Sequence, residues 1–230
     1  MELLLLAGLF ATLTIVAYLF FNSLYLKYRW TLLTPVLTTT VALIGMLLAF
    51  DIPYSRYMLG GQWIGALLGP AVVALAVPLY KQRELLARNL WPVAAGVTAG
   101  ALVGMLSGAL MAKGLRFSNE MVLTILPKSI TTPVAMQMAE GLGGIPSLAA
   151  VFVMIAGFTG IIIGPRLLKL LGIHSSIGRG IGLGSSAHGL GTAKAFEYGI
   201  EDASMSSVAM TLSAVVGSFL GPVVVWLFFT

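Results

Sequence analysis

Six long stretches of the chain carry no charged residue: Leu3–Phe21, Leu32–Phe50, Tyr57–Tyr80, Asn89–Ala112, Ile145–Pro165 and Ala203–Thr230. None of them shows a charged face. Each has the roughly 17–25 residues, or a few more, that a helix needs to cross the hydrocarbon core of a bilayer. Two further apolar stretches are interrupted. Met121–Ala139 is broken by Pro127, Lys128 and Pro133, and Ile181–Ala193 is rich in glycine and ends at Lys194. The pattern predicts an all-α polytopic membrane protein of about six transmembrane helices, with two re-entrant or broken helical segments meeting near the midplane.

Composition agrees. Of 230 residues, 58% are hydrophobic and 9% charged, with a mean hydropathy of +0.99. A soluble domain carries about 25% charged residues, so lipid must be the main solvent here. Six spans leave almost no room for a soluble domain, and residues 1–230 read as one transmembrane domain. The first run reads as a retained span rather than a signal peptide, because its head carries Glu2 and no Lys or Arg. With no cysteine, disulfides, thiolate metal sites and cysteine nucleophiles are excluded. The net charge of +5 is spread over short loops and forms no basic patch for nucleic acid.

Those basic residues orient the spans, since Lys and Arg concentrate on cytoplasmic loops. Lys27 and Arg29 follow the first span; Lys81, Arg83 and Arg88 follow the third. Both loops lie on one side, which puts the N-terminus outside. If Met121–Ala139 crossed the bilayer, Arg166, Lys169 and Arg179 would fall outside; if it dips in and returns, they fall inside. Ile181–Ala193 follows the same logic. Six spans with two re-entrant segments from opposite faces is therefore the expected topology, and eight spans with two broken ones is the alternative. Both put the two termini outside. Irregular backbone at that depth must be buried in protein or line a wet cavity.

"LTTTVAL" (Leu37–Leu43) and "ITTPVAM" (Ile130–Met136) share four identities, which raises an inverted repeat of the kind found in secondary transporters. Gly96, Gly100, Gly104 and Gly108 recur every fourth residue and make one smooth helix face for close approach of a neighbour. Tyr25, Tyr28, Trp30, Trp91 and Trp226 stand near span ends, where interfacial anchors belong.

The candidate chemistry sits in the two broken stretches. Lysine inside a membrane is costly, about 2.5–3.5 kcal/mol on insertion scales, and so points to function. Lys128 has Pro127 before it, and Ser129, Thr131 and Thr132 beside it before Pro133. An ammonium, several hydroxyls and backbone dipoles freed by proline make a pocket for a small carboxylate. The second constellation, "GSSAHGLGTAK" (Gly184–Lys194), offers Ser185, Ser186, His188, Thr192 and Lys194. Read as one helix, it puts Ser185, His188 and Thr192 on a common face. Breaks are expected at Gly184, Gly189 and Gly191, and in the third span at Pro70 and Pro78. His188 titrates near neutral pH and suits proton exchange. Asn22 and Glu197 are lesser polar candidates, and His174 is expected in solvated surroundings. No hydrolase, zinc-protease, dinucleotide or P-loop motif can be placed; two histidines and few acids make no metal centre. No cofactor is called for, and an enzyme is not the expectation.

"ILPKSITTPVAM", "LGGIPSLAAVFVMIAGFTGIIIG" and "GLGSSAHGLGTAKA" resemble the signature segments of the LrgB/CidB family, which also takes in YohK-type proteins and part of the plastid glycolate/glycerate translocator. The resemblance covers about residues 10–229. It implies a bacterial cytoplasmic (inner) membrane protein that moves small monocarboxylates of the glycolate, glycerate, pyruvate or lactate type. Symport with protons is the expected coupling, with sodium as the other candidate, and a small LrgA/CidA-type membrane protein is the implied partner. It also implies the alternative of a holin- or antiholin-like regulator of murein hydrolases. The positions it carries over are Pro127, Lys128, Ser129, Thr131, Thr132 and Pro133, then Ser186, His188, Gly191, Thr192 and Lys194. Lys194 stands where many members are expected to have Arg, which replaces a bidentate fork by a point charge. A homodimer is the expected assembly.

Overall fold

The computed structural model describes residues 2–28, 30 and 33–228. Arg29, used above for orientation, and the run ends at Leu32 and Thr230 lie outside them. Among the described residues the chain is helical, with no strand. Among the described residues, five helical stretches are long and apolar enough to cross a membrane: Leu3–Tyr28, Tyr54–Lys81, Leu90–Gly114, Pro146–Leu170 and Ile200–Phe228. The second of the six runs gives a shorter helix. The chain folds as two compact units, Met1–Pro70 and Ala71–Thr230.

The first unit holds α1 (Glu2–Tyr28), α2 (Pro35–Ala49) and α3 (Tyr54–Gly65). Pro35 pins the start of α2, and Asp51, at φ +52°, turns the chain just beyond its end. Its fifteen residues span about 22 Å at 1.5 Å each, short of the roughly 30 Å hydrocarbon core. Gly60 lets α3 lie directly on the Ala7 carbonyl of α1, where no side chain would fit. Beside that contact the Thr14 and Tyr57 hydroxyls bond at 3.0 Å. "LTTTVAL" lies wholly inside α2, whereas "ITTPVAM" straddles a chain reversal. The seven-residue match therefore does not mark equivalent local structure.

The third run breaks into α3, α4 (Leu68–Ala74) and α5 (Ala76–Lys81). Pro70 and Pro78 both stand third in their short helices rather than at the interruptions. Each break falls three to four residues before a proline, where its ring would clash with the carbonyl. Then α6 (Arg83–Arg88) leads into α7 (Leu90–Gly114).

The second unit is organised by α7, α10 (Pro146–Leu170) and α12 (Ile200–Phe228). Between α7 and α10 the chain enters through α8 (Asn119–Ile125), tightens into a 3₁₀ turn over Leu126–Ser129, and returns through α9 (Thr132–Leu142). Pro127 sits in that turn and Pro133 in the first turn of α9. The inner end of the entering leg is tied to the chain beyond the returning one: the Ile145 N–H, at the start of α10, donates to Thr124 Oγ1 at 2.9 Å. Gly144 lies so close to Thr124 that a Cβ would come within 2.8 Å of its backbone nitrogen. This segment is a re-entrant hairpin, and it leaves α7 and α10 antiparallel.

A second hairpin lies between α10 and α12. It is α11 (Ser176–Ala195), whose backbone leaves helical geometry at His188 (φ 46°, ψ −124°). Beyond that point the chain folds back, and Gly191 packs against the Leu183 carbonyl eight residues earlier, with no space for a side chain. The reversal therefore occurs at His188 beside Gly189. Gly184 and Gly191 do not break the helix; they are places of close approach, Gly184 to the backbone of Ser206 on α12. At the foot of this hairpin Arg179 pairs with buried Asp202 at 2.6 Å, and its guanidinium also donates to the His174 carbonyl. His174 itself is exposed, as expected. The two hairpins enter from opposite faces of the second unit.

Candidate functional site

The glycine face of α7 seats both hairpins. A Cβ at Gly96 would meet Ile181 Cγ2 at 2.9 Å, and one at Gly100 would meet Ser185 Oγ at 3.2 Å. Further along, a Cβ at Gly104 would meet Ser129 Oγ at 2.7 Å, and one at Gly108 would meet Lys128 Cε at 2.8 Å. Glycine is thus required at a close approach, and the stripe divides between the two hairpins at Gly100 and Gly104.

Lys128 reaches along this face and donates from Nζ to the Gly104 carbonyl at 2.6 Å. An ammonium has three donors, so further hydrogen-bonding capacity remains. The Lys128 carbonyl in turn meets His188 Nε2 of the other hairpin at 3.3 Å. A carbonyl only accepts, so at this contact Nε2 carries the hydrogen. The two broken segments therefore touch tip to tip, through backbone on one side and imidazole on the other. His188 is 5% exposed, Leu126 0% and Ile130 1%, while Lys128 and Ser129 between the latter two are half-buried.

Around the tips the hydroxyls divide into two sets. Ser185 and Ser186 donate back to the Ile181 and Gly182 carbonyls, each at 2.6 Å. Thr192 bonds the His188 carbonyl at 3.1 Å and Ser206 Oγ at 3.0 Å. Ser129, Thr131 and Thr132 stand half-buried, and among the described residues their hydroxyls make no hydrogen bond. Lys128, Ser129, His188 and Thr192 are thus brought together, with Thr131 and Thr132 at the start of the returning helix.

Two expectations need correction. The common helix face proposed for Ser185, His188 and Thr192 does not exist, because the chain reverses at His188. Lys194 is not at the tips; it lies near the end of the returning leg, paired with exposed Glu197 at 2.6 Å. That i,i+3 spacing was readable in the sequence as a local ion pair. Sequence reasoning also missed Ser206 and the neighbouring serines of α12, which read as ordinary small residues in an apolar span.

Two sizeable cavities lie elsewhere. One of about 410 Å³ is lined by Thr14, Tyr18, Thr39 and Tyr57 in the first unit. Another, of about 290 Å³, lies between Val72, Leu79, Val134 and Thr211 in the second. Size alone does not select the site; the unusual backbone and the membrane-depth cation do.

Comparison with known proteins now bears on the whole chain. The holin-like protein CidB of Staphylococcus aureus (strain Mu50 / ATCC 700699) is 39% identical over 223 residues, 97% of each chain. The uncharacterised protein YxaC of Bacillus subtilis (strain 168) is 56% identical over 216 residues, 94% of each chain. YwbG of the same organism is 38% identical over 203 residues, covering 88% of this chain and 90% of its own. No solved structure matches. The LrgB-like family pattern matches residues 14–227, and the chain belongs to that family of membrane proteins.

Proposed function

We propose that this chain is a secondary carrier, not an enzyme, that moves small monocarboxylates across the bacterial cytoplasmic membrane by alternating access. The observation that carries this reading is the meeting of two re-entrant hairpins from opposite faces at Lys128 and His188. In carriers, irregular helix at mid-depth is where ligands are held. Lys128 would pair with the carboxylate, and the unpartnered hydroxyls of Ser129, Thr131 and Thr132 would complete its shell. His188 would exchange the proton, with sodium coupling as the other candidate. Glycolate, glycerate, pyruvate and lactate are the anions to try.

Orientation follows from charge. In the second unit the face with Lys81, Arg83, Arg88, Arg166, Lys169 and Arg179 is far more basic than the face with Lys113 and Arg116. We place the first face in the cytoplasm, with both termini outside. A homodimer and a small LrgA/CidA-type membrane partner belong to the same proposal.

The names of the Staphylococcus relatives favour a second reading more directly than they favour transport, that of a holin-like protein; on that reading this chain would regulate murein hydrolases and lysis. That role needs no saturable anion site. Purified protein in liposomes, loaded with a labelled carboxylate under an imposed proton gradient, separates the two. The carrier reading expects saturable exchange, lost at least a hundredfold in Lys128→Ala while the helical circular dichroism stays unchanged. Unsaturable leak of unrelated solutes, or no flux with folded protein, would leave the holin-like reading standing.

A further inference from the structure

Several hydroxyls on these helices satisfy themselves by donating to a carbonyl one turn back: Thr211 to Ser207, Ser218 to Ala214, Ser185 to Ile181 and Ser186 to Gly182. Ser213 of α12 does not. It is 2% exposed, and its Oγ has no partner among the described residues. A buried hydroxyl without a partner is costly to keep, so its place in the fold matters.

That place is set by the packing of α12 on α7. Met205 clusters with Val93, and Gly217 lies against Met105, so the two helices run parallel. Ser213 comes eight residues after Met205 and four before Gly217. The same steps from Val93 and Met105 both arrive at Ala101. Ser213 therefore stands between the levels of Gly100, where Ser185 sits, and Gly104, where Ser129 sits. It also shares the α12 face of Ser206 and Gly217, since steps of four and seven residues keep one side of a helix. Ser206 bonds Thr192 of the second hairpin, and Gly217 touches Ile130 at the tip of the first.

We infer that Ser213 is a ligand of the anion site, forming its third wall on α12 and donating its O–H to the carboxylate held by Lys128. This rests on the carrier reading above. It extends the site from two hairpins to a scaffold helix, so that a bound anion would tie both moving tips to a fixed element.

The absence of cysteine makes the test direct, because Ser213→Cys is then the single thiol. The full chain in liposomes is treated with the small anion methanethiosulfonate ethylsulfonate, and modification is followed by intact mass. The expected result is labelling that millimolar pyruvate, lactate or glycolate slows about tenfold, with protection lost when Lys128→Ala is added. In exchange assays Ser213→Ala should raise KM about tenfold with kcat little changed, as removing one hydrogen bond to a charged ligand would, and Ser213→Thr should restore KM. Unprotected or absent labelling, together with wild-type KM in Ser213→Ala, would overturn the inference. If wild-type exchange is robust in that case, the carrier reading survives without Ser213. If labelling is protected but no exchange occurs, the site stands and transport falls.

Discussion

His188 is asked to do two things that conflict. Its ring reaches the carbonyl of Lys128, while its backbone holds a positive φ with ψ −124°, a region that side chains avoid. Such a residue costs about 1–3 kcal/mol, and its neighbour Gly189 could have occupied the turn without strain. On the carrier reading, that strain is kept because the site needs the side chain. His188→Gly should therefore raise the thermal unfolding midpoint in detergent while abolishing proton-dependent exchange; a lowered midpoint would remove strain from the account. His188→Gln should keep anion binding and flatten the pH dependence of exchange, and an unchanged pH profile would reject His188 as the proton site. At this scale the sequence was informative about type and poor about place. Lys128 and His188 stand out because ionisable groups are rare in apolar runs. Ser213 does not, because nothing in a sequence tells a self-satisfied serine from an unpaired one.

The hairpins were legible through an argument about other residues. Whether Met121–Ala139 crosses or returns cannot be read from its own hydropathy, yet the positions of Arg166, Lys169 and Arg179 decide it. The reversal at His188 was misplaced onto glycines because glycine permits a turn without requiring one, and here Gly184 and Gly191 serve close packing. The shortness of α2 was equally hidden: hydropathy extends over Leu32–Phe50, but Pro35 and the turn at Asp51 clip the helix at both ends. The first hairpin depends on the bond from the Ile145 N–H to Thr124 Oγ1. Thr124 is fully buried, so Thr124→Val leaves that amide unpaired at nearly constant volume. The expected cost is about 1–2 kcal/mol, visible as a lowered unfolding midpoint and faster hydrogen exchange at Gly144 and Ile145. Unaltered protection there would mean that packing alone holds the entering leg to the start of α10.

For the whole molecule, the composition settled the solvent, and the charge distribution settled the topology of the second unit. The division at Pro70 was not legible, because an apolar run reads alike whether it is one rod or three short pieces. Orientation is tested in intact cells with a membrane-impermeant maleimide. Arg116→Cys should react from outside, and Lys169→Cys only after permeabilisation. The reverse pattern would invert the membrane placement while leaving the fold untouched.

The glycine face of α7 has one more consequence. Four residues of helix advance about 6 Å, so Gly96, Gly100, Gly104 and Gly108 act as evenly spaced detents along a rail. On the carrier reading proposed above, a hairpin riding that rail would stop only where a notch receives it. Two riders share four notches, and the middle ones are adjacent. Advance of one toward the centre would then require retreat of the other, and the rail would act as an interlock against both sides opening together.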